Sequence, residues 1–227
     1  FDDERSKRRL FKFEDYPTVL VDAILAIEDH RFFSHWGVDP MRLTKAAFDG
    51  FVSGEQPRGT STLTQQLARN FFLTPEQTYG RKAAEALISL QLEFRLTKQQ
   101  IFEYYSNQIF MGRSGSFNVM GMGEAARAYY NKDVRDIDLP EAALLAGLPQ
   151  GPSYLNPYRH PERALYRRNQ VLSAMRLHGL ITEEQFQEAD AAELQLAQGH
   201  IESTEAPYYV DLVNAHLQEH FDTQELI

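Results

Sequence analysis

Apolar residues recur three and four positions apart along most of the chain, the spacing that lines one face of an α-helix. Leu20, Ile24 and Ile27 form one such set, Leu63, Leu67 and Phe71 a second, and Leu87, Leu90 and Phe94 a third. Start signals sit where these sets need them. Thr62 with Gln65 and Thr97 with Gln100 read as capping boxes, in which each side chain satisfies the other's free backbone amide. Thr74-Pro75 predicts a cap and a first-turn proline ahead of a long helix from about Glu76 to Leu96. Asp138-Leu139-Pro140-Glu141 opens another helix that stops at Pro149, and two more are predicted over Pro161 to Leu177 and Thr182 to Leu194. No convincing run of period-two alternation occurs, so the expected fold is mainly α with little or no sheet. Gly50 to Gly59 and Gly112 to Gly123 are glycine-rich and read as loops. Gln195 to Ala206 is polar and poorly periodic, a linker, after which Pro207 to Phe221 begins a new apolar pattern. The expectation is therefore one domain over residues 1–194 and a connector over 195–227.

Composition changes this picture little. A chain of 227 residues that is 43% hydrophobic and 24% charged can bury a core without staples, which excludes disordered and collagen-like classes. It has no cysteine, hence no disulfides or thiolate metal sites. Lys and Arg number 23 against 32 Asp and Glu, and the net charge of −9 gives no basic footprint for nucleic acid. No apolar run approaches the roughly 18 residues a membrane-spanning helix needs. The chain starts at Phe1 rather than Met, so it is expected to be an excised piece whose N-terminal anchor has been removed. Arg5, Lys7, Arg8, Arg9 and Lys12 would favour anionic headgroups beside such an anchor, and read equally well as a solvated basic tail.

Several common chemistries have no motif here: there is no Gly-x-x-x-x-Gly-Lys, no Gly-x-Ser-x-Gly and no His-Glu-x-x-His. Gly121-x-Gly123-x-x-Ala126 lacks the βαβ unit a dinucleotide fingerprint requires. His30 and His35 are five apart, which does not put both rings on one helix face, so no certain metal ligand emerges. What remains is polar residues where packing does not need them. Glu28-Asp29 ends an apolar helix and Phe32, Phe33 and Trp36 follow at once. A carboxyl among aromatics is poorly solvated and suits a general base, although solvated acids at a helix end are the plainer reading of these residues alone. Thr60, Ser61, Thr62 and Thr64 then precede or open a helix, with Gln65, Gln66 and Arg69 following, so that free amides and the positive end of the dipole form an anion site. Arg81 and Lys82 stand four and three residues before Glu85, the weaker order for helix support, and Glu103 and Asn107 form a polar pair among apolar neighbours. Two carboxylates with a cationic cluster suit sugar transfer from a phosphate-linked donor.

The chain resembles the peptidoglycan glycosyltransferase domain of class A penicillin-binding proteins and monofunctional transglycosylases, glycosyltransferase family 51. Five blocks carry the resemblance in order: Glu28-Asp29-His30-Arg31-Phe32-Phe33-Ser34-His35-Trp36-Gly37, Gly59 to Gln66, Arg81-Lys82-Ala83-Ala84-Glu85, Ile101 to Asn107 with Gly112, and Glu141 to Gly147 through Pro152 and Asn156-Pro157. The resemblance implies a lysozyme-like, two-lobed glycosyltransferase fold and inverting, processive polymerisation of lipid II that moenomycin blocks. It implies Glu28 as the general base toward the acceptor hydroxyl. It implies Glu85 as the second essential carboxylate, assisting at the donor pyrophosphate with or without a divalent cation (magnesium or manganese). Arg69, Arg81 and Lys82 are implied as donor-phosphate contacts, Ser61, Thr62, Gln65 and Gln66 as cleft residues, and Glu103 and Asn107 as further substrate-binding residues. Implied partners are lipid II, the growing glycan strand, the bacterial cytoplasmic membrane with the domain on its outer side, and a transpeptidase domain beyond 195–227. Thr60, His30 and Ser106 depart from the usual glycine, arginine and leucine. Met41 to Gly59, with Phe48, Phe51 and Val52, is expected to dip into the bilayer. A hydrolase on the same fold would have no pyrophosphate for the cations to hold, and a binding module would not need both carboxylates, so the polymerase reading stands first.

Overall fold

Helix α1 (Thr18–Glu28) buries Leu20, Val21, Ala23, Ile24, Leu25 and Ala26, so it is apolar on nearly every side and is driven to the interior. A computed structural model describes residues 10–42, 44, 61–72, 79–114 and 117–197. Further helices are α2 (Leu63–Phe72), α3 (Tyr79–Arg95), α4 (Lys98–Gln108), α5 (Met122–Tyr130), α6 (Leu139–Gly147), α7 (Pro161–Leu177) and α8 (Glu183–Ala191). Two antiparallel strands, β1 (Phe110–Ser114) and β2 (Phe117–Met120), are the only strands among the described residues. They pair Phe110 with Met120 and Arg113 with Asn118, with an irregularity between.

The helices fall into two groups. In the larger, α1 packs on α6 and α7, and α7 carries α8. In the smaller, α2 packs on α3. Helix α4 touches α2, α3 and α5 and so belongs to both. α6 is the second interior helix, buried from Ala142 to Gly147, and opens with the reciprocal cap between Asp138 and Glu141 that its sequence predicts.

The mainly α expectation holds, and the Thr62, Thr97 and Asp138 starts lie where their capping residues put them. Three details differ. The Gly112 to Gly123 stretch, read as a loop, contains the hairpin: its strands are too short and irregular for alternation to register, yet Met111 and Val119 are buried and the Tyr129 hydroxyl donates to Met111 O at 2.8 Å. Leu87, Leu90 and Phe94 lie on a helix but face solvent, because α3 turns a polar face inward at Glu85 and Ser89; Phe71, on α2, is exposed as well. The final helix ends at Ala191 rather than Leu194. Thr74-Pro75, the Gly50 to Gly59 loop, the Phe48–Val52 segment and most of the connector lie outside the described residues. No helix among the described residues is long and apolar enough to cross a membrane.

Gly121 and Gly123, the loose dinucleotide match, are there for packing. Gly121 has φ +83, and a Cβ on Gly123 would lie 2.1 Å from the Phe11 ring.

Candidate active site

The two helical groups meet where α1 ends and α2 begins, and a buried carboxylate fixes that junction. Asp29 is 1% exposed and accepts from His35 Nε2 at 2.9 and 3.0 Å and from the Leu63 backbone N–H at 2.9 Å. Arg42 Nη1 stands 3.7 Å from its other oxygen. Leu63 is the first residue of α2, so Asp29 sets a negative charge on the positive end of that helix. The Thr62–Gln65 box completes the start: Thr62 N–H donates to Gln65 Oε1 at 3.0 Å and Gln65 N–H to Thr62 Oγ1 at 3.1 Å. The Thr62 hydroxyl donates to Gly37 O at 2.6 Å. Gly37 has φ +79, and a Cβ there would lie 2.8 Å from Ser89 O, so only glycine lets this loop lie between α2 and α3.

This framework aims Glu28. Gln66, one residue beyond the box, donates from Nε2 to Glu28 Oε2 at 2.6 Å, and Arg42 donates to the Glu28 carbonyl at 2.6 Å. Of the aromatics that follow Glu28 only Phe32 is buried; Phe33 and Trp36 face solvent, so the expected aromatic cover is not formed. Tyr105 on α4 is buried with no hydrogen-bond partner on its hydroxyl. Burial pushes its pKa well up, the Glu28 carboxylate adds to that, and Arg69 opposes it, so the phenol shares a neighbourhood with both charges. A cavity of about 390 Å³ opens alongside, lined by Gln66, Arg69, Asn70, Phe110, Pro149 and Pro152 among others.

A second carboxylate lies on α3. Glu85 is fully buried, with Arg81 Nη1 on one oxygen at 2.8 Å and Lys82 Nζ on the other. Lys82 also donates to Ser61 Oγ at 2.7 Å, which ties α3 to the residues ahead of α2. The Ser89 hydroxyl donates to the Glu85 carbonyl at 2.6 Å. Burying a carboxylate without partners is costly, and two cations are the compensation that makes it tolerable. Arg81 is largely buried, while the Lys82 side chain is 44% exposed and can meet a ligand. Glu93 takes the Thr64 hydroxyl at 2.6 Å and Lys98 at 2.7 Å, pinning α2, α3 and α4 together. Both Glu85 oxygens are thus occupied by cations. No group of three or more metal-ligating side chains occurs among the described residues.

The predicted residues therefore separate. Glu28, Gln66 and Arg69 come together, and so do Ser61, Arg81, Lys82 and Glu85. Thr62 and Gln65 are buried in the box. The amides expected to be free at this helix start are taken, Leu63 by Asp29 and Gln65 by Thr62. Glu103 and Asn107 join neither set. Asn107 donates to Phe11 O at 2.7 Å and accepts from Phe11 N–H at 3.0 Å, and Glu103 accepts from Phe13 N–H at 3.3 Å. Asp29, His35, Arg42 and Gly37 were not singled out as site residues. Their local signal in the sequence is an acid and a histidine six residues apart. Of the departures, His30 stacks on His178 with centroids 4.4 Å apart, and Ser106 is buried with no partner on its hydroxyl.

Penicillin-binding protein 1A of Vibrio cholerae serotype O1 is 43% identical over 218 residues, covering 95% of this chain and 26% of that protein. The Streptococcus oralis protein of the same name is 46% identical over 188 residues, 81% of this chain and 29% of its own length. The chain thus spans about a quarter of the length of these curated relatives. The crystal structure of penicillin-binding protein 1A from Haemophilus influenzae matches with a TM-score of 0.53 at 22% identity over 94% of this chain and 21% of that one, a likeness in fold. A family model described as transglycosylase matches residues 1–176, and the chain belongs to that transglycosylase family.

Proposed function

We propose that this domain polymerises lipid II into β-1,4-linked glycan strands with inversion, releasing undecaprenyl pyrophosphate. The observation that carries the reading is the contrast between the two carboxylates. Glu28 is partly buried and its Oε2 receives one neutral amide, from Gln66, with no cation bonded to its side chain among the described residues. Glu85 has a cation on each oxygen, Arg81 on one and Lys82 on the other. Glu28 takes the proton of the acceptor sugar's 4-hydroxyl as that oxygen attacks the donor's anomeric carbon. Lys82, with Arg81 behind it and Ser61 beside it, faces the negative charge that builds on the departing pyrophosphate, and Glu85 holds both cations at fixed positions. Attack on one face and departure from the other give inversion in a single displacement. Arg69, lining the cavity beside Gln66, offers a further charge to a phosphate.

The exposed Trp36, Leu87, Leu90 and Phe94 support a site at the outer surface of the bacterial cytoplasmic membrane, where a lipid-linked substrate resides. The shared relatives are much longer than this chain, which supports a transpeptidase partner domain in the whole protein. The test is incubation with fluorescent lipid II in detergent beside Glu28→Gln and Glu85→Gln, with the products run on a glycan gel. Moenomycin-sensitive polymer is expected from the parent, with a loss on the order of 10²- to 10⁴-fold in Glu28→Gln. Polymer made at the parental rate by Glu28→Gln refutes the assignment of the base.

A further inference from the structure

Glu28 is the last residue of α1, and the last turn of a helix leaves carbonyls that no amide of its own helix reaches. The Glu28 carbonyl is one of these, and it is met from 14 residues further on. Arg42 Nη1 donates to it at 2.6 Å and stands 3.7 Å from Asp29 Oδ1. A cation is also favoured at the negative end of a helix. The local sequence brings the arginine there. Asp39-Pro40 is a helix start, a capping acid followed by a proline whose missing amide the first turn does not need. Pro40, Met41 and Arg42 are helical. Asp39 is buried, and its Oδ1 accepts from the Met41 and Arg42 amides at 3.0 and 3.2 Å, with Arg31 Nη1 3.5 Å away. Gly37, at φ +79, turns the chain on the way. The stretch from 29 to 42 therefore leaves the end of α1 and returns to the carbonyl at which it left. Among the described residues that carbonyl is the one hydrogen bond of the Arg42 guanidinium, and the side chain is 23% exposed.

Glu28 is thus held twice, at its backbone by Arg42 and at its carboxylate by Gln66, also at 2.6 Å. The two holds come from different elements and do different things. Gln66 fixes where the carboxylate ends, and Arg42 fixes the peptide from which the side chain sets out. A helix end whose carbonyls lack partners frays, and a catalytic side chain on that end would fray with it. We propose that Arg42 is a positioning residue for the transfer reaction, capping the Glu28 carbonyl so that the carboxylate stays aimed at the acceptor hydroxyl. This rests on Glu28 being the general base. A base must come within about 2.6–3.2 Å of the hydroxyl it deprotonates. A displacement of about 1 Å can cost on the order of 10² in rate. Arg42 lies outside the five sequence blocks and belongs to neither set of proposed substrate contacts, so its removal falls on the chemical step and not on binding.

The test is kcat and KM on fluorescent lipid II in detergent for Arg42→Met, Arg42→Gln, Arg42→Lys and Glu28→Gln, with urea unfolding of each. Hydrogen exchange is read at the Asp29 amide, which closes α1 on Leu25 O at 2.9 Å. Arg42→Met, which keeps the stem and loses the donor, is expected to lower kcat about 10-fold or more with KM within about twofold of the parent. Exchange at the Asp29 amide should quicken in the same variant. Arg42→Lys, which still donates a charged hydrogen bond, is expected to recover most of kcat. Parental kcat in Arg42→Met, with the loss confined to the urea midpoint, overturns the proposal and leaves a structural cap. A raised KM at unchanged kcat overturns it in favour of a substrate contact, and a kcat loss that Arg42→Lys does not relieve overturns it as well. Where Arg42→Met does not fold, Arg42→Gln, polar and shorter than the arginine, decides: parental kcat there overturns the proposal. Polymer made at the parental rate by Glu28→Gln instead defeats the assignment of the base, a distinct outcome.

Discussion

Replacing Asp29 by alanine tests whether one buried acid joins the two helical groups. The carboxylate is 1% exposed and serves the Leu63 amide, His35 and, at 3.7 Å, Arg42. Orphaning the buried Leu63 N–H costs about 1–3 kcal/mol, and losing a hydrogen bond to a charged group about 1.5–3 kcal/mol. Removing the negative charge from the start of α2 adds about 0.3–1 kcal/mol. Allowing for local relaxation, the loss is about 3–5 kcal/mol, a large share of the roughly 5–15 kcal/mol that holds a domain together. Urea unfolding is the assay, since a slope of about 2–3 kcal/mol/M converts this loss into a midpoint shift of about 1–2 M at unchanged slope. Asp29→Asn keeps an acceptor for the Leu63 amide and is expected to cost about half as much. A shift below about 0.3 M for Asp29→Ala, or equal losses for both variants, would refute the account of the junction as a hydrogen-bonded one.

Two further outcomes follow from the same geometry. Gly37→Ala combines a positive φ with a Cβ 2.8 Å from Ser89 O, so a loss of about 2 kcal/mol or more is expected in the same urea assay, and a neutral result would mean that the loop can shift away from α3. Burial raises the Tyr129 pKa to about 12, and those of Tyr105 and Tyr130 are also raised, against 10.0 in the unfolded chain. These folded values exceed the unfolded one, so their contribution is fully present below pH 10 and is lost as pH rises from there toward 12. Unfolding free energy measured from pH 8 to pH 12 should hold level and then decline above about 10. A flat profile past pH 11 would count against burial of these phenols.

Much of this was legible in the sequence because it is local chemistry. The helix starts at Thr62, Thr97 and Asp138 are set by side chains three residues apart, and Arg81, Lys82 and Glu85 share a helix face by spacing alone. Where partners lie far apart in the chain, the pattern gave no hold. Asp29 meets Leu63 34 residues on, and Asn107 meets Phe11 96 residues back. The same limit explains Leu87, Leu90 and Phe94. Their spacing marks a helix, but only the buried ionic cluster on the other side decides which face turns inward. Glu103 and Asn107 illustrate the converse, since a polar pair among apolar neighbours signals a required partner without saying whether that partner is a ligand or the chain itself.

Asn107 pairs with Phe11 through both its donor and its acceptor, as a peptide group in a neighbouring strand would. A single side chain thus supplies one rung of a ladder where no sheet exists. The grip reads main-chain atoms, so it is blind to which residue stands at position 11. Selection there comes instead from Gly123, whose bare backbone receives the Phe11 ring. A slip of one residue would keep the rung and present Leu10 or Lys12 to a seat shaped for an aromatic ring. The start of the described chain is therefore registered by two independent readers, one of backbone and one of shape, and both must agree before the segment sits against α4 and α5.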